Sequence, residues 1–93
     1  MYVMMNQYEN ADYLGEMILH RDKEVRELIS GVPGFVAYYA TRSGDQVTTI
    51  TVCADEAGTL ESTRRMRAWV QRTIGEGRVT TGVVTAGETF VQF

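Results

Sequence analysis

The sequence predicts an α+β domain whose elements run β-α-β-β-α-β. Three observations carry that prediction. Several short stretches alternate apolar and polar residues, two longer stretches repeat apolar residues at helical spacing, and glycine- or proline-bearing turns stand between them. With 93 residues there is room for one such domain, spanning 1–93, and no second one is expected.

The first strand is read over Tyr2–Glu9, where Tyr2, Met4, Asn6 and Tyr8 fall on one side and Val3, Met5 and Gln7 on the other. Asn10 or Asp12 can cap the following helix, which the spacing of Leu14, Met17, Ile18, Val25, Leu28 and Ile29 predicts over Ala11–Ser30. Gly31, Pro33 and Gly34 stop it. Phe35–Arg42 and Gln46–Ala54 resume the period of two on either side of Ser43-Gly44-Asp45, which makes a hairpin. Asp55 caps a second helix, Glu56–Ile74, whose apolar stripe is Leu60, Met66, Trp69, Val70 and Ile74. Gly75 and Gly77 end it, Val79–Thr85 is a fourth strand, and beyond the turn-like Ala86-Gly87-Glu88 the tail Thr89–Phe93 reads as more strand. This order is the split βαβ of a ferredoxin-like domain, four antiparallel strands with two helices on one face.

Composition narrows the function classes. A net charge of −3 lacks the basic field of a nucleic-acid-binding protein, so no nucleic-acid partner is expected. No apolar run approaches the roughly 20 residues that cross a bilayer, and the first residues lack the pattern of a secretory signal. No membrane partner and a cytoplasmic location follow as expectations. Cys53 is the only cysteine and His20 the only histidine, which excludes an intrachain disulfide and leaves no cluster for zinc or any other metal.

The strands are apolar on both faces. Val36, Tyr38 and Ala40 alternate with Phe35, Ala37 and Tyr39, and Ile50 and Val52 oppose Val47 and Cys53. Two helices cover one face only, and an uncovered second face would form an apolar patch of several hundred Å². A homodimer joined sheet to sheet is therefore expected, with Phe90 and Phe93 placed to cross the interface.

Together, the first strand, the helix leading into Gly31-Val32-Pro33-Gly34-Phe35, the tyrosine-bearing hairpin and Val52-Cys53-Ala54-Asp55-Glu56-Ala57 at the start of a Trp-bearing helix resemble one family. It is the antibiotic-biosynthesis monooxygenase-like family of the dimeric α+β barrel superfamily. The resemblance covers almost the whole chain and implies the barrel fold. Its members include cofactor-independent oxygenases of quinols and polyketides, haem-degrading enzymes and lactone isomerases, and fold alone does not choose among them.

What the resemblance implies for this chain is a small hydrophobic or aromatic ligand, no cofactor, and a pocket of Met4, Asn6, Tyr8, Tyr38, Arg65 and Trp69. Asn6 and Trp69 look like the oxygenases' Asn and Trp that hold an aromatic substrate. An amide among apolar groups can stabilise a developing phenolate or enolate while oxygen takes an electron from the substrate; it can also serve only to satisfy the sheet. Trp69, flanked by Arg65 and Arg72, is open to two roles, an aromatic wall or a surface brace. His20, within helical reach of Glu16 and Glu24, and Tyr8 are candidate proton relays, with an ion-pair ladder and plain packing as the alternatives. Of the adjacent Tyr38 and Tyr39, only one can face the helices. Haem-degrading relatives ligate iron through a His near the end of the second helix, where this chain has Gly75-Glu76-Gly77-Arg78. The reading is a cofactor-independent monooxygenase-like protein, with non-catalytic ligand capture or a stress-response role as the alternative and haem binding behind both.

Overall fold

The computed structural model describes residues 1–75 and 77–93; Glu76, assigned from sequence to the loop after the second helix, lies outside the described residues. The elements are β1 (Tyr2–Glu9), α1 (Asp12–His20), α2 (Asp22–Ser30), β2 (Phe35–Ser43), β3 (Gln46–Cys53), α3 (Glu56–Thr73) and β4 (Thr80–Glu88). They form one antiparallel sheet in the order β2-β3-β1-β4, the ferredoxin-like arrangement.

The expected first helix is two helices. Arg21, at φ −117° and ψ 33°, leaves the helical region and separates α1 from α2. Neither glycine nor proline marks the break; the two segments pack on different partners. α1 lies on the hairpin, where the Arg42 side chain passes within 3.2 Å of the space a Gly15 Cβ would fill and donates to Glu16 at 2.9 Å. α2 lies against α3 and β2. Neither Asn10 nor Asp12 caps α1; Ala11 holds the cap position without a side-chain bond and donates its N–H to the Asp45 carbonyl at 2.7 Å. Asn10 takes the left-handed turn before it, φ 52°, a conformation that suits asparagine.

Val32-Pro33-Gly34-Phe35 is a tight turn in which the Phe35 N–H donates to the Val32 carbonyl at 3.0 Å. Proline presets the first corner, and Gly34 at φ 81° supplies the left-handed second one. Immediately beyond, the β2–β3 register shifts between Phe35 and Ala37. This bulge corrects the expected alternation: Phe35 and Tyr38 both face the helices, Tyr39 faces the open side, and Val36 stands out from the shift half exposed.

On the helical side of the sheet the central strands present Met4, Asn6, Val47, Thr49, Thr51 and Cys53, all buried. The face of α3 that meets them is graded. Gly58, Thr59 and Ser62 let the start of the helix approach β3 closely, and Met66 and Trp69 fill the wider space farther along. Asp55 caps α3 as expected, accepting from the Gly58 N–H at 3.0 Å. A Cβ on Gly58 would sit 2.8 Å from the Cys53 Cβ and 3.2 Å from the Pro33 carbonyl oxygen, neither of which is the end of a flexible side chain. Gly58→Ala is therefore expected to cost about 1–3 kcal/mol despite alanine's better helix propensity, read as a lower urea midpoint with unchanged slope.

β4 reaches farther than expected. It pairs with β1 as far as Tyr2↔Glu88, so Ala86-Gly87-Glu88 is strand rather than turn. The Thr89 N–H makes a last bond to the Met1 carbonyl at 2.8 Å. There the partner strand runs out, so the expected strand in the tail does not form. Phe90 and Phe93 are fully exposed. On the sheet face away from the helices the central strands place the uncharged Val3, Met5, Gln7, Thr48, Ile50 and Val52, with Glu9 following in the same alternation at the end of β1. Among the described residues no helix is long and apolar enough to cross a membrane.

Candidate functional site

Among the described residues, three of the concavities beside the helices bear on the expected site. The first, about 440 Å³, is a groove between α3 and the β1–β4 side of the sheet, with Met4, Asn6 and Val84 from the strands and Leu60, Thr63 and Ala68 from the helix. Arg64, Arg67 and Gln71 complete its lining. The second, about 170 Å³, continues along the same helix and is lined by Tyr8, Val70, Val79 and Thr81 together with Arg67 and Gln71 again. The third, about 450 Å³, lies between α2 and β2, lined chiefly by Ile18, Val25, Ile29, Phe35, Tyr38 and Ala40, with Asp22 and Arg26 among its polar members.

Asn6 lies in the floor of the first groove, 3 % exposed. Period-two geometry puts it on the helix side of β1 between Met4 and Tyr8, as its spacing indicates. Its amide donates to the Thr63 hydroxyl at 3.4 Å, and that hydroxyl donates to the Met4 sulfur at 2.9 Å. The first bond is long, so the amide is loosely held and keeps a second N–H and a carbonyl oxygen for other partners.

Trp69 does not share this groove. It is wholly buried in the core beside Leu14, Val25, Ile29 and Met66, and its indole N–H donates to Glu24 on α2 at 2.9 Å. The expectation that Trp69 and Asn6 line one cavity is thus corrected: the indole fills the α2–α3 seam. Arg65 turns the same way. It donates to Glu61 at 2.8 Å and to the Leu28 carbonyl at 3.0 Å, bracketing α3 to α2 rather than stacking in a pocket. Glu61 also accepts two bonds from Arg64, and the Arg64 and Arg65 guanidiniums hold its carboxyl down at about 2. The ion pair accordingly persists far into the acid range and is lost only as pH falls through that value.

His20 stands on the outer end of α1, its side chain 72 % exposed, 3.5 Å from Glu16. It lines none of the three concavities, so the expected proton relay is absent from them and no imidazole is present there to ligate a haem iron. Tyr8 faces the second concavity. Burial pushes its phenol up, against the opposing pull of Arg67 and the Thr49 hydroxyl, so at neutral pH it is a proton donor and not a base. Tyr38 faces the helices on the far side of the sheet core. Its hydroxyl is buried with no hydrogen-bond partner among the described residues, and burial reinforced by the adjacent Tyr8 raises it far above the ordinary phenol value.

Of the six residues expected to form the pocket, the groove brings together Met4 and Asn6, the adjoining concavity holds Tyr8, and Tyr38, Arg65 and Trp69 lie elsewhere. Sequence reasoning missed the helical wall. Leu60, Arg64, Arg67 and Gln71 recur at steps of four, three and four, a single stripe of α3 beside the one that carries Met66 and Trp69.

No protein-family model matches the chain, and no curated protein is similar to it in sequence. Solved structures share its fold. MupZ from Pseudomonas fluorescens superposes with a TM-score of 0.70 at 16 % identity over 91 % of this chain, which spans only 65 % of the MupZ chain. SnoaB, a cofactor-independent oxygenase from Streptomyces nogalater, gives 0.67 at 14 % identity over 98 % of this chain and 94 % of its own. A dimeric ferredoxin-like protein from an uncultured marine organism gives 0.70 at 7 % identity over 100 % and 98 % of the two chains. What these structures share with the chain is the ferredoxin-like α+β fold.

Proposed function

We propose that this protein is a cofactor-independent monooxygenase acting on an aromatic or quinol-type substrate held in the groove above Asn6, and that it works as a homodimer joined through the open sheet face. The observation that carries the enzyme reading is the placement of Asn6: one buried amide, with donors to spare, in the floor of an otherwise largely apolar groove of about 440 Å³. Such a group stabilises charge where it develops on a phenolate or enolate oxygen.

The chemistry needs an electron-rich substrate, because no side chain replaces a flavin or a metal in activating oxygen. A substrate methylene loses a proton to solvent water to give the delocalised anion, and Asn6 donates to its oxygen. The anion passes one electron to O2, and the radical pair combines at carbon. The hydroperoxide then sheds water, so CH2 and O2 become C=O and H2O. Tyr8, protonated and adjacent, can supply a proton to the peroxide oxygen. Trp69 acts at a distance, by fixing α3.

A second reading, capture without turnover, is favoured by one observation. Among the described residues the groove is lined by neither carboxylate nor imidazole, so none of them acts there as a general base and only a substrate acidic enough to ionise by itself can react. Oxygen uptake with a panel of anthrones and naphthohydroquinones separates the two. The enzyme reading expects turnover by wild type and a loss of about 100-fold in Asn6→Ala. Saturable binding of panel members with no uptake in either protein would replace it with capture.

A further inference from the structure

Arg67 is set apart from most of the other arginines. Arg21, Arg26, Arg42, Arg64 and Arg65 each meet a carboxylate within salt-bridge distance; among the described residues Arg67 meets none. It also lines both the Asn6 groove and the Tyr8 concavity, as does Gln71. The two hollows therefore adjoin along α3, with Arg67 and Gln71 as their common boundary. Arg67 already acts on that interior, since it is the charge that opposes the rise of the Tyr8 phenol. Among the described residues neither hollow is lined by a carboxylate.

We propose that this pair of hollows selects planar aromatic acids, the rings lying between Met4, Leu60, Ala68 and Val84 while the carboxylate is received by Arg67 where the two adjoin. The inference deepens the function proposed above and rests on the Asn6 groove being the binding site. A guanidinium presents a fork of N–H donors that matches a carboxylate, and one that meets no carboxylate among the described residues gains most from an anion brought in with the ligand. Placed there, the carboxylate anchors the ring system so that an oxygen substituent on it can reach the Asn6 amide.

The test uses 1-hydroxy-2-naphthoate and 1-naphthol, which differ by the carboxylate and are not consumed, with binding measured by calorimetry at low and moderate salt. Wild type is expected to bind the acid at least about 10-fold more tightly than the naphthol, the usual worth of a charge-assisted bond. Arg67→Gln should remove that preference while leaving the naphthol within about two-fold of wild type. Arg72→Gln, on the same helix and outside both hollows, should retain it. Equal binding of the two compounds by wild type, or a preference that survives Arg67→Gln, overturns the role of Arg67 while leaving the groove standing. Binding of neither compound overturns the groove as the site, and the inference with it.

Discussion

Trp69→Ala is expected to bring the protein to the edge of unfolding. The indole is entirely buried between α2 and α3, packed with residues of the main apolar cluster, and its N–H is bonded to Glu24. Removing a buried tryptophan costs about 3–5 kcal/mol, out of a total of about 5–14 kcal/mol for a chain of this size. The melting temperature should fall by on the order of 15–30 °C. Trp69→Phe makes the test specific. It keeps most of the apolar volume and loses the bond to Glu24, whose side chain is 48 % exposed and can return to water. A loss of about 1–2 kcal/mol is expected, with ligand affinity unchanged. A Trp69→Phe protein of wild-type stability whose ligand binding has weakened would instead place the indole against the ligand.

The other large effect concerns assembly. Ile50 is central on the face the helices leave uncovered, paired with Met5 on β1 and Tyr39 on β2. A carboxylate at position 50 would have to be buried without a partner in a sheet-to-sheet dimer, and costs several kcal/mol there, but meets only water in a monomer. Ile50→Asp is expected to halve the mass measured by light scattering while leaving the far-ultraviolet circular dichroism of the fold in place. Met5→Lys provides the same test with opposite charge. A wild-type protein of monomer mass at micromolar concentration, or a variant that keeps dimer mass, would refute the sheet-to-sheet arrangement. Phe90 and Phe93 bear on the same point. In the proposed dimer, the two fully exposed phenylalanines that follow the last bonded residue, Thr89, would cover part of the partner.

Much of the fold was legible because its determinants are local. The period of two around Asn6, the helical stripes, the Pro33-Gly34 turn and the Asp55 cap each act within a few residues, and each appears in the structure. What escaped the sequence depends on partners far along the chain. The break at Arg21 follows from α1 and α2 packing on different elements, and the bulge after Phe35 from the register β3 imposes. The site divides the same way. Asn6 was legible because alternation along a strand fixes which way a side chain points. Trp69 was not, because its apolar stripe is broad and Glu24, the acceptor that aims it, is 45 residues away in sequence. Arg64, Arg67 and Gln71 carry no pocket signal in the sequence, since charged and polar residues along a helix ordinarily face water. Only the adjacency of β4, set by the sheet order, turns that stripe into a wall.

The division at Arg21 also sorts the helical layer by allegiance. The forward segment is fastened to the hairpin through Glu16 and Ala11, the rear one to the long helix through Glu24 and Leu28. The hollow of about 450 Å³ between α2 and β2 lies beside that division, lined by Ile18 from the first segment and by Val25 and Ile29 from the second. The direction the chain takes at Arg21 thereby sets how the two segments wall that hollow.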